Sequence, residues 1–317
     1  MAVREGEEIT LLGAGRVVIS EELDVWLPPR LCLWARVGGC GPLLNGTQDT
    51  HTFTAPRSGA LELGLSQGEW GTEDGELREG AAMALLASGE IEVVVIRWKT
   101  SAAAGLAALT EALPDSALIG AERDRLGETV AVPEGWSYLW FLGPADIFTA
   151  AEHDGRRSIR ARTAGDVGIL QTPVDLPFGA GTRLSWRWCM RDIPSPVAED
   201  TLPTHDYVSL AVEFDDGQDL TYYWSGALEP ETHYRCPLPY WDQRETHIVV
   251  RSGAEGLGSW HRETRDLHAD YLRAVGEPPG RIVAVWLIGV SLFQRRSGDV
   301  EFADIVLESN GATWRGP

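Results

Sequence analysis

Twelve consecutive residues carry the densest reactive chemistry in the chain: Trp260-His261-Arg262-Glu263-Thr264-Arg265-Asp266-Leu267-His268-Ala269-Asp270-Tyr271. Histidine and carboxylate groups exchange protons near neutral pH, and arginine can hold an oxyanion. At the rim of a pocket, Arg262 or Arg265 would orient an anionic or carbonyl oxygen. His261 or Glu263 would handle the proton, with Asp266 beside them. The same residues also describe an ion-pair network bracing a connection between sheets, which is what mixed charge clusters more often do.

A second group is His205-Asp206-Tyr207, followed one strand later by Tyr222-Tyr223-Trp224-Ser225. On a strand alternate side chains share a face, so Tyr222 pairs with Trp224, and Trp186 pairs with Trp188 opposite Arg187. Such aromatic pairs either floor a ligand face or fill a sandwich core. As a ligand floor they would act with Trp260, Arg265 and Tyr271, while His205 and Asp206 would join the catalytic set. A third group, His233-Tyr234-Arg235 and Tyr240-Trp241-Asp242, lies in a Pro-rich loop that suits either ligand contact or plain surface.

Several signatures are missing. The sequence has no G-x-S-x-G, H-E-x-x-H, Walker A or G-x-G-x-x-G string, which disfavours α/β-type serine hydrolases, zinc proteases and nucleotide-dependent enzymes. His205, His233, His247, His261 and His268 could meet in space, but the H-x-H spacing of cupin-like metal sites is absent, so no metal and no cofactor is expected. Cys32, Cys40, Cys189 and Cys236 show no C-x-x-C spacing and read as reduced thiols, with a Cys32–Cys40 disulfide as the alternative.

The elements that must position these residues are strands. Before residue 100, VVIS, LCLWARV, HTFTA, ALELGL and EIEVVVIRW are apolar or alternating runs bounded by turn residues, the pattern of a small sandwich. SAAAGLAALTEAL (101–113) breaks it: Ser101 can cap, Leu106, Leu109 and Leu113 share a helical face, and Pro114 ends the run. From about residue 118 strands return at spacings that argue for a larger jelly-roll-like sandwich. The expected fold is therefore all-β: a small sandwich over 1–100, a helical linker over 101–117 and a larger sandwich over 118–317. The stretch DIPSPVAEDTLPTHD (192–206) is long enough to be a binding loop or lid.

The 317 residues include 27 Lys and Arg against 47 Asp and Glu, a net charge of -20, with Lys99 the sole lysine. Such a surface repels phosphate backbones and anionic headgroups, so nucleic-acid and membrane partners are excluded unless the fold hides a basic patch. No signal peptide and no run of about 18 apolar residues is present, which points to a soluble, cytoplasmic protein. Oligomeric state stays open.

Two resemblances follow from these strings. LWARVGGCGPLLNGTQDTHTFTAPRSGALELGL, within residues 7 to 99, resembles the small galactose-binding lectins of the PA-I type. That resemblance implies a β-sandwich and a calcium-held sugar in the turn SQGEWGTEDGEL. Glu69, Thr72, Glu73 and Asp74 could offer oxygens there in place of the family's Asn and Asp. RLSWRWCM, HDYVSLAVEFDDG, LTYYWS and HIVVRSGAEGLGSWHRETRDLHADYL, within 134 to 308, resemble the bacterial domain-of-unknown-function family 3047. That resemblance implies a jelly-roll-like fold and brings no activity with it; the family's Asp/Thr-rich segment is replaced here by SLFQRRSG (291–298).

Three readings stand on the sequence. One is a two-module protein binding a carbohydrate or similar polar-aromatic small ligand. Another is a cofactor-independent lyase, hydrolase or cyclase with its site in the C-terminal sandwich. The third is a structural or partner-binding protein whose aromatics are simply core.

Overall fold

A computed structural model describes residues 1–45, 49–66, 70–76, 88–127, 131–140 and 142–316. It divides into residues 1–130 with 139–145, and residues 131–138 with 146–317. In the first unit the described strands are β1 (Ala2–Val3), β2 (Glu8–Ser20), β3 (Val25–Leu27), β4 (Leu33–Val37), β5 (Leu44–Asn45), β6 (Thr50–Thr54), β7 (Gly59–Leu65) and β8 (Ser88–Arg97). One sheet runs β1-β7-β4-β5; the other runs β3-β2-β6, with β8 also on β2.

Alternation along β2 explains the packing. Ile9 and Leu11 face the other sheet and bury against Val3, Ala35, Val37 and Leu61. Leu12 faces the opposite way and buries against Leu106 and Ile119. Both faces of β2 are therefore covered, which is why its first half reads as a nearly continuous apolar run.

After a single turn, α1 (Pro29–Cys32), two longer helices follow: α2 (Ala102–Ala112) and α3 (Ala117–Gly127). Ser101 caps α2 by accepting from the Ala104 N–H, as its position predicts. The helical segment corrects the expected linker in two ways. It packs inside the first unit instead of standing between modules, and α3 occupies a stretch read as the return of strands. α3 lacks an apolar stripe because its buried positions are Ile119 and Glu122. Glu122 is fully buried, pairs with Arg125 and accepts from Thr50 Oγ1 at 2.6 Å. In the turn read for calcium, Thr72, Glu73 and Asp74 are exposed and Glu69 lies outside the described residues. All four cysteines are free, so Cys32 and Cys40 are not bridged.

The second unit carries the strands β9 (Ser137–Tyr138), β10 (Phe148–His153), β11 (Arg156–Ala164), β12 (Val167–Pro177), β13 (Arg183–Asp192), β14 (Tyr207–Phe214), β15 (Asp219–Ser225), β16 (His233–Arg235), β17 (Glu245–Ser252), β18 (Trp260–Asp266), β19 (Arg281–Val290), β20 (Ser297–Ser309) and β21 (Ala312–Arg315), with one helix, α4 (Leu267–Ala274). Six strands form the sheet β10-β11-β20-β13-β18 with β21 on β20; seven form β16-β17-β15-β14-β19-β12-β9. All pairs are antiparallel except β15 with β17. This is the expected sandwich, and its centre is aromatic. Trp186 meets Trp188 edge-on at 5.6 Å and Tyr222 at 5.7 Å, and Trp188 meets Trp224 at 5.9 Å and Phe302 at 6.3 Å. Among the described residues, no helix is long and apolar enough to cross a membrane.

Candidate functional site

The 260–271 segment is half strand and half helix, and this scatters its reactive groups. On β18 the side chains alternate: His261, Glu263 and Arg265 lie opposite Trp188, Trp186 and Leu184, towards the second sheet. Trp260, Arg262 and Thr264 face outwards. Arg262 is exposed. Asp266 caps α4 by accepting from the Ala269 N–H at 3.0 Å.

The inward groups are already engaged. Glu263 accepts from Trp188 Nε1 at 3.0 Å and from Arg251 Nε at 2.5 Å. Arg265 donates to both oxygens of Asp270, at 2.8 and 2.7 Å, and to both of Glu231, at 2.5 and 3.0 Å. Tyr222 donates its hydroxyl to Asp270 at 2.9 Å, and Arg273 donates to Asp270 and Glu231. The Arg265 and Arg273 guanidinium groups hold the Glu231 carboxyl down to about 2. Tyr271 is fully buried against Phe178 and Phe214 and donates its hydroxyl to Asp216. Arg265, Asp270, Glu231, Arg273 and Tyr222 thus form a brace, not a reactive array, while Tyr271 is tied separately to Asp216.

The expected aromatic floor needs the same correction. Trp186, Trp188, Tyr222 and Trp224 are at most 1% exposed. Their shared face is the closed interior of the sandwich, where packing excludes any ligand. Trp260 is half-buried, but its ring is taken up by His153, with centroids 4.6 Å apart, and by the Arg187 guanidinium at 5.1 Å. The expected catalytic set is not gathered either. His261 abuts Trp224 on the inner side of β15, whereas His205 packs with Tyr207 and His247 on the opposite side of that sheet and Asp206 is tied to the 291–296 turn.

What remains open at this edge is a cleft of about 450 Å³ lined by Pro230, Val250, Arg251, Ser252, Glu255, Gly256 and His261. His261 Nε2 lies 2.9 Å from the Gly256 carbonyl. If that nitrogen donates, a neutral ring presents Nδ1 as an acceptor. Gly256 has φ +86°, and a Cβ there would stand 2.7 Å from His261 Nε2, so only glycine leaves room for the ring. Arg251 lies over the Trp224 ring at 5.5 Å.

The outer side of the seven-stranded sheet is polar, and it is covered. Tyr207, Asp219, Thr221, Tyr223, Ser225, Glu245 and His247 alternate onto it, each at most 3% exposed. The long 192–206 loop closes over them through Glu199, which accepts from Ser225 Oγ at 2.6 Å and from the Gly226 N–H at 2.7 Å. Asp206 pins the 291–296 turn by accepting from the N–H groups of Phe293 and Gln294, at 2.9 and 2.6 Å. Burial raises its carboxyl to about 6.

Under that cover, His205, Cys236, Glu245 and His247 bring one donor atom each to within 4.8 Å of one another. His205 Nδ1 is 2.6 Å from the Glu199 carbonyl, and its Nε2 is 3.3 Å from Cys236 Sγ. Glu245 Oε1 accepts from Tyr207 at 3.0 Å and lies 3.1 Å from the Thr221 hydroxyl, which Asp219 also approaches at 3.0 Å. His247 Nε2 lies 3.5 Å from Glu245 Oε1, and among the described residues neither ring nitrogen of His247 makes a well-formed hydrogen bond. Burial holds the His205 imidazole down to about 3 and pushes the Cys236 thiol well up. Two imidazoles, a thiol and a carboxylate around one point are the donor set of a zinc-like ion.

The model of the family described as "Protein of unknown function (DUF3047)" matches residues 134–306. The chain belongs to that family. No curated protein matches the sequence. Among solved structures, the chain is similar to the xyloglucanase domain of the effector NopAA from Sinorhizobium fredii, at 10% identity and TM-score 0.34, over 57% of this chain and 96% of that one. It is also similar to the carbohydrate-binding module TmCBM61, at 12% identity and TM-score 0.27, over 56% and 90%. A third is the CBM22 tandem of Paenibacillus barcinonensis Xyn10C, at 10% identity and TM-score 0.29, over 97% and 80%. At such values the likenesses say nothing of what this chain binds.

Reading the sequence of this DUF3047 member picked out His205, His247 and His261 but missed Cys236, Glu245, Arg251 and Glu255. The available signal was Glu245-Thr246-His247, two donors on one face of a strand nine residues after a cysteine. It differs from H-x-H only in its first residue.

Proposed function

We propose that the C-terminal sandwich binds a small polar ligand of carbohydrate type in the open cleft beside β17 and β18. One observation supports this reading above others: His261, Arg251, Glu255 and Ser252 line a cleft of about 450 Å³. That volume falls within the range of small-ligand sites, and because the cleft is shallow and open to solvent, its few polar groups would contact one face of a ligand. Hydroxyl-rich rings ask for mixed donors and acceptors. Arg251 donates, Glu255 accepts, Ser252 does either, and His261 is held by Gly256. His261 and Glu255 carry no ion pair of the brace, so they can be removed without breaking it.

The test is a titration of a panel of neutral and uronate-bearing oligosaccharides followed by ligand-observed NMR, with melting temperature recorded for each variant. His261→Ala and Glu255→Ala should each weaken binding at least tenfold, a change of about 1.4 kcal/mol; Glu255→Ala should leave the melting temperature close to that of the parent, whereas His261→Ala also loses the ring packed on Trp224 and should lower it. The reading fails if no member of the panel binds, or if both variants bind as the parent does.

A further inference from the structure

We propose that His205, Cys236, Glu245 and His247 bind one divalent transition-metal ion of the zinc class inside the C-terminal sandwich, and that the ion ties two covering segments to the sheet. The site is separate from the cleft and stands on different residues.

The first argument is geometric. Zinc–sulfur bonds of about 2.3 Å and zinc–nitrogen bonds of about 2.0 Å put tetrahedral donor atoms roughly 3.3–3.8 Å apart. Here the donor atoms all lie within 4.8 Å, and two pairs are already at 3.3 and 3.5 Å. Glu245 and His247 come from alternate positions of β17, a rigid base. His205 comes from the end of the 192–206 loop and Cys236 from the segment after β16. An ion held by all four would therefore join each covering segment to the sheet.

The second argument is an under-used polar group. His247 is fully buried, and among the described residues neither ring nitrogen makes a well-formed hydrogen bond: the Glu245 carboxylate stands 3.5 Å from Nε2. A neutral imidazole donates at one nitrogen and accepts at the other, and burying it with one long contact is costly. Coordination uses one ring nitrogen outright. His205 is already oriented as ligating histidines are, with one ring nitrogen on a backbone carbonyl and the other facing the cluster.

The third argument is charge. Asp219 and Glu245 are adjacent register partners, at most 2% exposed. The Thr221 hydroxyl lies 3.0 Å from one and 3.1 Å from the other, but its single proton serves only one. The nearest guanidinium, Arg244, reaches Asp219 only at 4.0 Å, and Asp219 Oδ2 accepts no hydrogen bond. A buried pair of carboxyls is relieved either by a proton kept on one of them or by nearby positive charge. A divalent ion would supply that charge, and Cys236 would lose its thiol proton to solvent as the metal–sulfur bond forms.

The experiment uses the full chain with Cys40→Ser, which removes the one exposed thiol, stripped with a chelator and titrated with Co²⁺ alone, then with Zn²⁺. The expected result is saturation at one Co²⁺ per chain, with a thiolate-to-cobalt charge-transfer band and the visible bands of a tetrahedral ion. Zn²⁺ should bleach both and raise the melting temperature. Cys236→Ser should lose the charge-transfer band, His247→Gln should weaken Co²⁺ binding at least a hundredfold, and His233→Ala, an exposed histidine outside the cluster, should change neither. Absence of saturable uptake by the stripped chain, or uptake without a thiolate band, overturns the proposal. Both read on the parent chain, so they decide even if a variant does not fold.

Discussion

Arg265 shows how a residue that looks catalytic becomes structural. Its side chain is 14% exposed and is shared between Asp270, 8% exposed, and Glu231. Arg265→Ala leaves Asp270 with only Tyr222 and Arg273, and removing one partner of a buried pair strands the other. The expected loss is about 3 kcal/mol in urea denaturation, with ligand binding in the cleft unchanged. The pH dependence carries its own signature. Arg265 hydrogen bonds hold the Glu231 carboxyl at about 2, below its ordinary 4.5. A depressed carboxyl adds stability that is full above the ordinary value and is lost as pH falls towards the depressed one. The gap between parent and variant should therefore be constant above about pH 5 and shrink on acidification towards pH 2. Glu231 is half exposed, so the effect is screened and only its pH position is diagnostic. A gap that does not change with pH would contradict the assignment. At this scale the sequence displayed the right residue types but not their partners. Glu231 lies 34 positions from Arg265, and no local pattern connects them.

The elements were more legible than the contacts. Period-two alternation located the strands of both sandwiches, and Ser101 with Pro114 located α2. The helix α3 was hidden because a carboxylate, Glu122, occupies its buried side. The aromatic face stayed open between ligand floor and core because alternation shows which residues share a face, not whether that face is open. The 192–206 loop, legible as a lid by length and proline content, depends on one close approach. A Cβ on Gly226 would overlap the Ser195 carbonyl oxygen, beside the Gly226 N–H bond to Glu199. Gly226→Ala should therefore lift the loop from the sheet at a cost of about 1–3 kcal/mol, the usual range for overpacking. Because His205 ends that loop, Co²⁺ affinity should fall with the melting temperature, while oligosaccharide binding through His261 and Glu255 should persist. Unchanged Co²⁺ affinity in a destabilised Gly226→Ala chain would separate the loop from the cluster.

At the scale of the whole molecule, net charge and composition could not foretell local charge. In a chain of net charge -20, the outer face of the six-stranded sheet gathers Arg160, Arg187 and Arg191, each paired with Asp299, Glu301 or Asp304. Those pairs come from register, which sets β11, β13 and β20 side by side. Every residue of the cleft and of the four-donor cluster lies within 146–317. The aromatic centre is also built from that stretch alone. β9 adds to it from residues 137–138, pairing Ser137 and Tyr138 with Gln171 and Leu170 on β12. Tyr138 also meets the ring of Phe148 at 6.2 Å, and Trp136 is 8% exposed. A chain shortened to residues 131–317 therefore retains a complete core and should unfold in one cooperative transition, with Co²⁺ and oligosaccharide affinities matching those of the full chain. Starting at residue 146 instead removes β9 and Trp136 and uncovers the edge of β12, so its melting temperature should be several degrees lower. Differential scanning calorimetry of the two shortened chains measures this. A broad, non-cooperative transition for 131–317 would mean that the second unit does not fold alone.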